Sequence, residues 1–207
     1  MAERMRLLPY GDTALLAELD GLDDVLALYA ALADSPCAGL VDLVPAERTL
    51  LVRFDADATS ADAVKGWLRS AGRAGRRSEP RPEVRIHVTY DGPDLDATAD
   101  ALGWSAAELV REHADRTWRV AFVGFAPGFG YLVSDAGWPS VPRRDDPRTS
   151  VPPGSVALAG SYSGVYPRSS PGGWQLIGRT DADLWDSRRD PPALLVPGAE
   201  VRFEVAG

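Results

Sequence analysis

The sequence predicts an α+β sandwich domain over residues 1–78, followed by a mainly-β barrel domain over residues 79–207. Three observations lead to this prediction. Segments with strand-like and helix-like periodicity alternate within the first eighty residues, and an arginine-rich segment with few apolar side chains follows them. Glycine and proline then become frequent, since 11 of the 17 prolines and 12 of the 20 glycines lie from Ala121 onward. Turn residues at this density cut a chain into short strands, as in a sandwich or barrel.

The first domain is predicted to contain strands that alternate with two amphipathic helices. Strand-like runs cover residues 14–19, 39–45 and 49–55. Residues 23–35 place apolar side chains at helical spacing behind acidic residues, which suit a helix N-terminus. Residues 59–72 repeat this pattern, with Thr59 or Ser60 as the N-cap and Gly72 as the end of the helix. The order strand, helix, strand, strand, helix predicts a sheet with helices on one face.

The second domain is predicted to begin after a linker. Residues 69–83 carry five arginines, two glycines and two prolines, which is typical of a solvated connector; the alternative is that the arginines bind an acidic partner. Residues 84–90 alternate apolar and polar side chains, as in a half-buried strand. Residues 94–118 contain two helical passages, and Ser105 with Glu108 predicts a capping box at the second.

The composition excludes several classes of protein. The formal net charge is -8, and no block of Lys and Arg is large enough to neutralise a phosphate backbone, so we expect no nucleic-acid partner. The first residues lack the apolar run of a signal peptide and no later stretch is long enough to cross a bilayer, so we expect a cytoplasmic protein. Because Cys37 is the only cysteine and His87 and His113 are the only histidines, we expect no metal site.

Sequence motifs of a self-sufficient catalyst are missing. No P-loop occurs, and Gly128 with Gly130 does not complete a dinucleotide-binding motif because Val133 takes the last position. Ser163 lies near glycines without the spacing of a nucleophile elbow. Lys65 is the only lysine, which argues against a serine–lysine amidase pair, and its neighbours differ from those of a biotinyl-lysine.

Four side chains are candidates for catalysis: His113, Arg148, Arg168 and Arg179. A histidine suits acid–base work near neutrality, and the alternative for His113 is a hydrogen bond to the last carbonyls of its helix. The arginines adjoin turn residues, where a barrel presents its loops, and a guanidinium binds a carboxylate through two hydrogen bonds. The alternative is that they pin loops by pairing with neighbouring carboxylates, namely Asp145, Asp146, Asp181 and Asp183.

The segment GFAPGFGYL, residues 124–132, is predicted to be either a tight corner in a β-structure or the lining of a site. A small barrel fills its core with aromatic side chains, which favours the corner. Adjacent glycines let a ring lie over exposed backbone, which favours a groove. The predicted binding groove consists of Phe125, Pro127, Gly128, Phe129, Tyr131 and Trp174.

Several long segments in register resemble a known family. They cover residues 8–19, 39–55, 124–132, 141–160, 163–186 and 189–203. These segments are similar to the bacterial family that includes the B subunit of 5-oxoprolinase, the sporulation kinase inhibitor KipI and allophanate hydrolase subunit 1, of the carboxyltransferase subdomain C/D type. In that family a proline usually stands where this chain has Gly130.

The resemblance implies a cyclophilin-like barrel as the second domain, without implying prolyl isomerase activity. It implies a hydrolase subunit that is not active alone, in an ATP-dependent 5-oxoprolinase that converts 5-oxo-L-proline to L-glutamate. The implied partners are a larger carboxyltransferase-like subunit, of the PxpC or allophanate hydrolase subunit 2 type, and a LamB/YcsF-like subunit, with ATP bound by the assembled complex. Arg148, Arg168 or Arg179 would hold the substrate carboxylate.

The shared motifs belong to the whole family, so two other activities stay open. One is a subunit that processes urea or allophanate. The other is a KipI-like inhibitor that binds a sensor histidine kinase through the aromatic groove.

Overall fold

A computed structural model describes residues 5–71 and 83–206. The chain divides into two compact units, Met1–Pro80 and Arg81–Gly207, and each is described by itself. Most of the predicted linker, together with the predicted helix end at Gly72, lies outside the described residues. None of the helices in the described ranges combines the length and the apolar character needed to cross a membrane.

The first unit is a four-stranded antiparallel sheet with two helices. Its elements are β1 (Arg6–Pro9), β2 (Ala14–Glu18), α1 (Leu22–Ala33), β3 (Leu40–Pro45), β4 (Thr49–Phe54) and α2 (Ala61–Ala71), and the strand order is β1-β2-β4-β3. Leu28 and Leu32 of α1 and Leu68 of α2 are buried against Leu50 and Val52 of β4 in one core. The periodicity of the sequence predicts these elements except β1, which is too short to show a clear alternation.

The second unit is mainly β. Its elements are β5 (Glu83–Val88), α3 (Leu95–Leu102), α4 (Ala106–Asp115), β6 (Thr117–Val123), β7 (Gly130–Ser134), β8 (Arg148–Val151), β9 (Ser155–Ala159), β10 (Tyr162–Val165), β11 (Ser170–Gly172), β12 (Gln175–Arg179) and β13 (Glu200–Val205). Seven strands form one sheet in the order β12-β9-β10-β7-β6-β13-β5, and β11 pairs with β8 in a separate ribbon. Thr89 and Arg179 exchange two backbone hydrogen bonds of 2.9 Å, so the two edges of the sheet meet and the sheet curls.

The capping box predicted for α4 is confirmed. Ser105 Oγ accepts a hydrogen bond from the Glu108 backbone N–H at 3.2 Å, and the Glu108 carboxylate accepts one from the Ser105 backbone N–H at 2.7 Å. In the first unit, Ser60 Oγ accepts from the Ala63 N–H at 3.2 Å, as expected of an N-cap.

The two faces of the curled sheet carry different cores. One face packs against α3 and α4 and forms the larger core, which includes Trp118, Leu132 and Leu158. The other carries the aromatic cluster, which we define as Phe129, Tyr131, Tyr162, Tyr166 and Trp174 with the apolar residues packed around them. Gly164 of β10 lies directly against this cluster, since a Cβ on Gly164 would lie 3.1 Å from the rings of both Phe129 and Trp174. The glycine in β10 therefore makes room for these rings.

Candidate functional site

The turn between β6 and β7 carries the aromatic motif. It is closed by hydrogen bonds from the Phe129 N–H to the Ala126 carbonyl, 3.0 Å, and from the Gly124 N–H to the Phe129 carbonyl, 3.2 Å. Phe125 adopts a left-handed backbone with φ +66° although it is not glycine, and its side chain is 59% exposed. Such a conformation costs on the order of 1 kcal/mol, and strained residues of this kind cluster at functional sites.

Phe129 lies at the centre of the aromatic cluster. Its ring makes edge-to-face contacts with Phe125, Tyr131, Tyr166 and Trp174, with centroid separations of 5.1 to 5.4 Å. Phe129 is only 1% exposed and Trp174 only 5%, so both fill the core of the cluster. The buried part of the motif is thus a packed corner. For Phe125, Pro127 and Tyr131, which reach the surface, a role in a binding groove stays a prediction.

The six predicted groove residues differ in how they reach the surface. Phe125 and Pro127 are exposed, Tyr131 is half-buried, and Gly128, Phe129 and Trp174 are buried. A bound molecule would therefore meet Phe125, Pro127 and the edge of Tyr131 first.

Arg148 is held by a carboxylate that is distant in the sequence. Its Nη2 lies 2.7 Å from Asp94 Oδ1, and Arg144 Nη1 lies 3.1 Å from the same oxygen. The other oxygen of Asp94 accepts a hydrogen bond of 2.7 Å from the Leu176 backbone N–H. Asp94 is 6% exposed, so it ties the start of α3, the β8 region and β12 together from inside the unit. The partner of Arg148 is not the neighbouring Asp145 or Asp146.

Arg179 and Arg168 are placed differently from Arg148. Arg179 Nε donates to Asp91 Oδ2 at 2.9 Å, and both side chains are largely exposed. Arg168 is exposed and makes no ion pair with any residue that the structure describes. No described contact joins these three arginines, and their role in substrate binding stays a prediction.

His113 lies inside the larger core, with no exposed surface. Its Nδ1 lies 2.8 Å from the Tyr90 hydroxyl and its Nε2 lies 2.8 Å from Ser163 Oγ, while its ring stacks on Phe203 with centroids 4.4 Å apart. Burial lowers the pKa of His113 to about 3, so the imidazole is neutral at physiological pH. The ring bridges two hydroxyls and does not bond the last carbonyls of α4. Acid–base catalysis by His113 would require this core to open.

Ser163 is the other half of this buried pair. Its hydroxyl is fully buried in β10, where Ser163 faces Leu132 of β7 and Leu158 of β9. The Ser163–His113 contact therefore resembles a nucleophile–base pair in distance only, because no substrate reaches it in this conformation.

The sequence interpretation misses three charged residues: Asp94, Asp91 and Arg143. Asp91 and Asp94 precede a predicted helical passage, where a carboxylate is common and indicates no distant partner. Arg143 stands directly before Arg144 in the segment that contains the candidate Arg148. A count of charges singles out this segment, because three arginines fall within six residues.

Gly130 allows a direct test of the aromatic turn. It faces Val123 of β6, and the bond beside this pair runs from Gly124 N–H to Phe129 O, so the Gly130 N–H points away from β6. On the other side of β7, the register with β10 pairs Leu132 with Ser163 and does not include Gly130. A Cβ at 130 would lie 3.2 Å from the Leu195 side chain, which requires a small adjustment. We expect Gly130→Pro to change the free energy of unfolding by no more than about 1 kcal/mol in urea titrations.

Gly128→Ala is the matched control for this variant. Gly128 has φ +85°, and a Cβ there would lie 3.0 Å from the Leu184 carbonyl oxygen. We expect a loss of about 1 to 2 kcal/mol, because the left-handed backbone is unfavourable for alanine. Equal losses for the two variants would show that the turn cannot accept the proline of related sequences.

The comparison with known proteins identifies the family. Residues 5–195 match the model of the carboxyltransferase domain, subdomain C and D. The chain belongs to this family. It is 36% identical to the 5-oxoprolinase B subunit of Escherichia coli O157:H7 over 97% of this chain and 96% of that protein. It is 33% identical to the 5-oxoprolinase B subunit of Bacillus subtilis (strain 168), over 98% of this chain and 93% of that protein.

Solved structures of similar proteins share the fold. TTHA0988 superimposes with a TM-score of 0.75 at 35% identity over 99% of this chain, which spans 40% of that longer chain. PH0987 from Pyrococcus horikoshii has a TM-score of 0.56 at 32% identity, with 97% of both chains covered. The Kluyveromyces lactis urea amidolyase, with a TM-score of 0.73 at 18% identity, shows a common fold alone.

Proposed function

We propose that this chain is the B subunit of a prokaryotic ATP-dependent 5-oxoprolinase that acts in the cytoplasm. The enzyme hydrolyses the ring amide of 5-oxo-L-proline, which yields the open-chain amino acid L-glutamate. The proposal rests on one observation. The 5-oxoprolinase B subunits of Escherichia coli O157:H7 and Bacillus subtilis are 36% and 33% identical to this chain, and each match covers at least 93% of both chains. A resemblance of this extent covers both units and the aromatic turn, beyond a single shared motif.

The site supports the role of a subunit that binds and positions. Within residues 5–71 and 83–206, the serine and histidine that contact each other are both buried. The exposed arginines Arg143 and Arg168 lie in the segments next to the aromatic cluster, and arginines bind and orient anions. We therefore propose that Phe125, Tyr131 and Arg168 face a composite site, completed by a larger carboxyltransferase-like subunit and a LamB/YcsF-like subunit. Arg148 acts by holding the surrounding loop on Asp94.

Two further features belong to this proposal. The curled sheet of the second unit is proposed to be a cyclophilin-like barrel, since its two edges meet at Thr89 and Arg179. The first unit is likewise proposed to be an α+β sandwich, which is supported by helices α1 and α2 packing with one four-stranded sheet.

The helix N-termini of this chain do not fit the triphosphate of ATP. Phosphates bind where a helix begins with free N–H groups and no negative charge. Each of the four helices in the described ranges carries an acidic side chain in its first turn, namely Asp23 with Asp24, Asp62, Asp96 and Glu108. These carboxylates repel phosphate, so we place ATP on the other subunits and derive no step of its chemistry from this chain.

The proposal is tested by reconstitution. The chain is purified with the larger subunit and the LamB/YcsF-like subunit of the same organism, and glutamate release from 5-oxoproline is measured with and without ATP. We expect glutamate only when all three subunits and ATP are present, and none when this chain is left out. A complete, co-purified complex that releases no glutamate would contradict the proposal.

A urea-processing role is the second candidate. The chain is 30% identical to the urea amidolyase of Saccharomyces cerevisiae over 58% of its own length, which is 7% of that protein. The same reconstituted complex is therefore assayed with urea and with allophanate in place of 5-oxoproline. Turnover of either one, without turnover of 5-oxoproline, would favour this second role.

A further inference from the structure

Arg143 is fixed at the rim of the aromatic cluster by its neighbours. The Arg144 backbone N–H donates to the Gly173 carbonyl at 2.8 Å, and Gln175 Nε2 donates to the Pro142 carbonyl at 3.0 Å. These bonds anchor the backbone on both sides of Arg143 alongside Trp174. The exposed Arg143 side chain therefore starts from a defined position beside the cluster.

One tyrosine, Tyr131, is half-buried at this rim, whereas a second, Tyr166, lies in the buried part of the cluster and is only 2% exposed. The Tyr166 hydroxyl packs so tightly on Gly172 that a Cβ there would overlap it. The Tyr131 ring packs against Trp174 with centroids 5.6 Å apart. Burial raises the pKa of both hydroxyls, so both are protonated and can donate hydrogen bonds at neutral pH. The positive charge of the Arg143 guanidinium opposes both increases in pKa.

The positive charges near this rim are not all neutralised locally. Arg144 and Arg148 share the buried carboxylate of Asp94. Arg143 makes no ion pair with any residue in the described part of the chain, although Asp145 and Asp146 follow it closely in the sequence. Arg148 Nη1 is also buried without a hydrogen-bond partner. Hydrogen-bond donors at the rim therefore exceed the acceptors that the described residues supply.

We propose that Arg143 and the half-buried Tyr131 form a subsite that binds the carboxylate of a small cyclic acid. The exposed Phe125 ring, whose centroid is 6.1 Å from that of Tyr166, supplies an apolar neighbour for the rest of the ligand. The identity of the acid, 5-oxoproline, rests on the function proposed above. The carboxylate of 5-oxoproline takes no part in ring opening, so a subsite that holds it orients the ring amide without entering the reaction.

The test compares 5-oxoproline with 2-pyrrolidinone, which has the same ring without the carboxylate. Binding to the full chain and to the assembled complex is measured by calorimetry, and KM and kcat are measured on the complex. We expect wild type to prefer 5-oxoproline by about ten-fold or more, since a charged hydrogen bond contributes about 1.5 to 3 kcal/mol. Arg143→Gln should remove this preference and raise KM about ten-fold, with kcat nearly unchanged.

Three further variants make the comparison specific. Arg143→Lys should restore part of the preference, because it keeps the charge but not the planar fork. Tyr131→Phe removes one hydroxyl and keeps the ring, so we expect a loss of about three-fold to ten-fold in affinity. Arg188→Gln is the matched control, since Arg188 is exposed and pairs only with Asp186 in the described residues.

The outcomes separate this inference from the proposed function. If the complex lacks 5-oxoprolinase activity but the preference for the carboxylate depends on Arg143, the subsite is supported and the function is wrong. The inference is overturned if wild type binds both ring compounds equally, or if Arg143→Gln behaves like Arg188→Gln. It is also overturned if Arg143→Gln prevents assembly of the complex while the free chain still binds 5-oxoproline normally, because Arg143 would then serve the contact with a partner.

Discussion

Replacing Asp94 with alanine is expected to lower the free energy of unfolding of the second unit by about 3 to 5 kcal/mol. Asp94 is buried and accepts hydrogen bonds from Arg144, Arg148 and the Leu176 N–H. Removal of one partner of a buried ion pair leaves the other charge buried without a counter-charge, which costs about 3 to 5 kcal/mol. The loss is measured as the change in unfolding free energy in urea, followed by tryptophan fluorescence.

Asp91→Ala is the matched control, because Asp91 lies three residues earlier and pairs with Arg179 at the surface. An exposed pair contributes no more than about 1 kcal/mol, so this variant should unfold close to wild type. Asp94→Asn keeps an oxygen that can accept from the Leu176 N–H but loses the charge, and we expect an intermediate loss. If Asp94→Ala and Asp91→Ala unfold at the same urea concentration, the buried network does not stabilise the unit.

The second large effect is a loss of stability on mild acidification, caused by His113. The ordinary pKa of histidine is 6.5, and burial lowers that of His113 to about 3 in the folded protein. Between these values the unfolded chain binds a proton that the folded chain excludes, so stability is complete above pH 6.5 and decreases as the pH falls toward 3. From about pH 7 to about pH 5 we expect a loss of about 2 kcal/mol.

This loss is measured by urea unfolding at about pH 7, 6 and 5. His113→Gln should remove most of the dependence on pH, whereas His87→Gln, at an exposed strand position, should keep it. If the His113 variant does not fold, the imidazole resonances of wild type provide the second measurement, since those of His113 should not shift over this range. Titration of His113 in the folded protein within this range would contradict the prediction.

The buried bridge of Tyr90, His113 and Ser163 also explains why a histidine belongs at this position. A buried imidazole leaves two nitrogens to satisfy, and an unsatisfied buried polar group costs about 1 to 3 kcal/mol. The Tyr90 and Ser163 hydroxyls satisfy one nitrogen each, at 2.8 Å. Because α4 contributes the imidazole and β10 contributes Ser163, the bridge links the sheet to its covering helix.

Local features were the most predictable from the sequence. The two helices of the first unit, the capping box of Ser105 and Glu108 and the concentration of short strands from Ala121 onward are all present in the structure. They depend on side chains within one or two turns of each other, so their spacing in the sequence is also their spacing in space. The burial of Phe129 was not predictable, because both the corner and the groove interpretation fit its position beside glycine.

Periodicity and ordered motifs in the sequence were enough to predict β2, β3, β4 and both helices of the first unit, the mainly-β character of the second unit and membership of the family. Which charges and hydroxyls contact each other depends on the folded chain. Arg148 contacts Asp94, which is 54 residues away in the sequence, and His113 contacts Ser163, which is 50 residues away. The strand order brings these distant segments together. Burial then fixes the protonation of His113, and burial is a property of the folded core that no local pattern records.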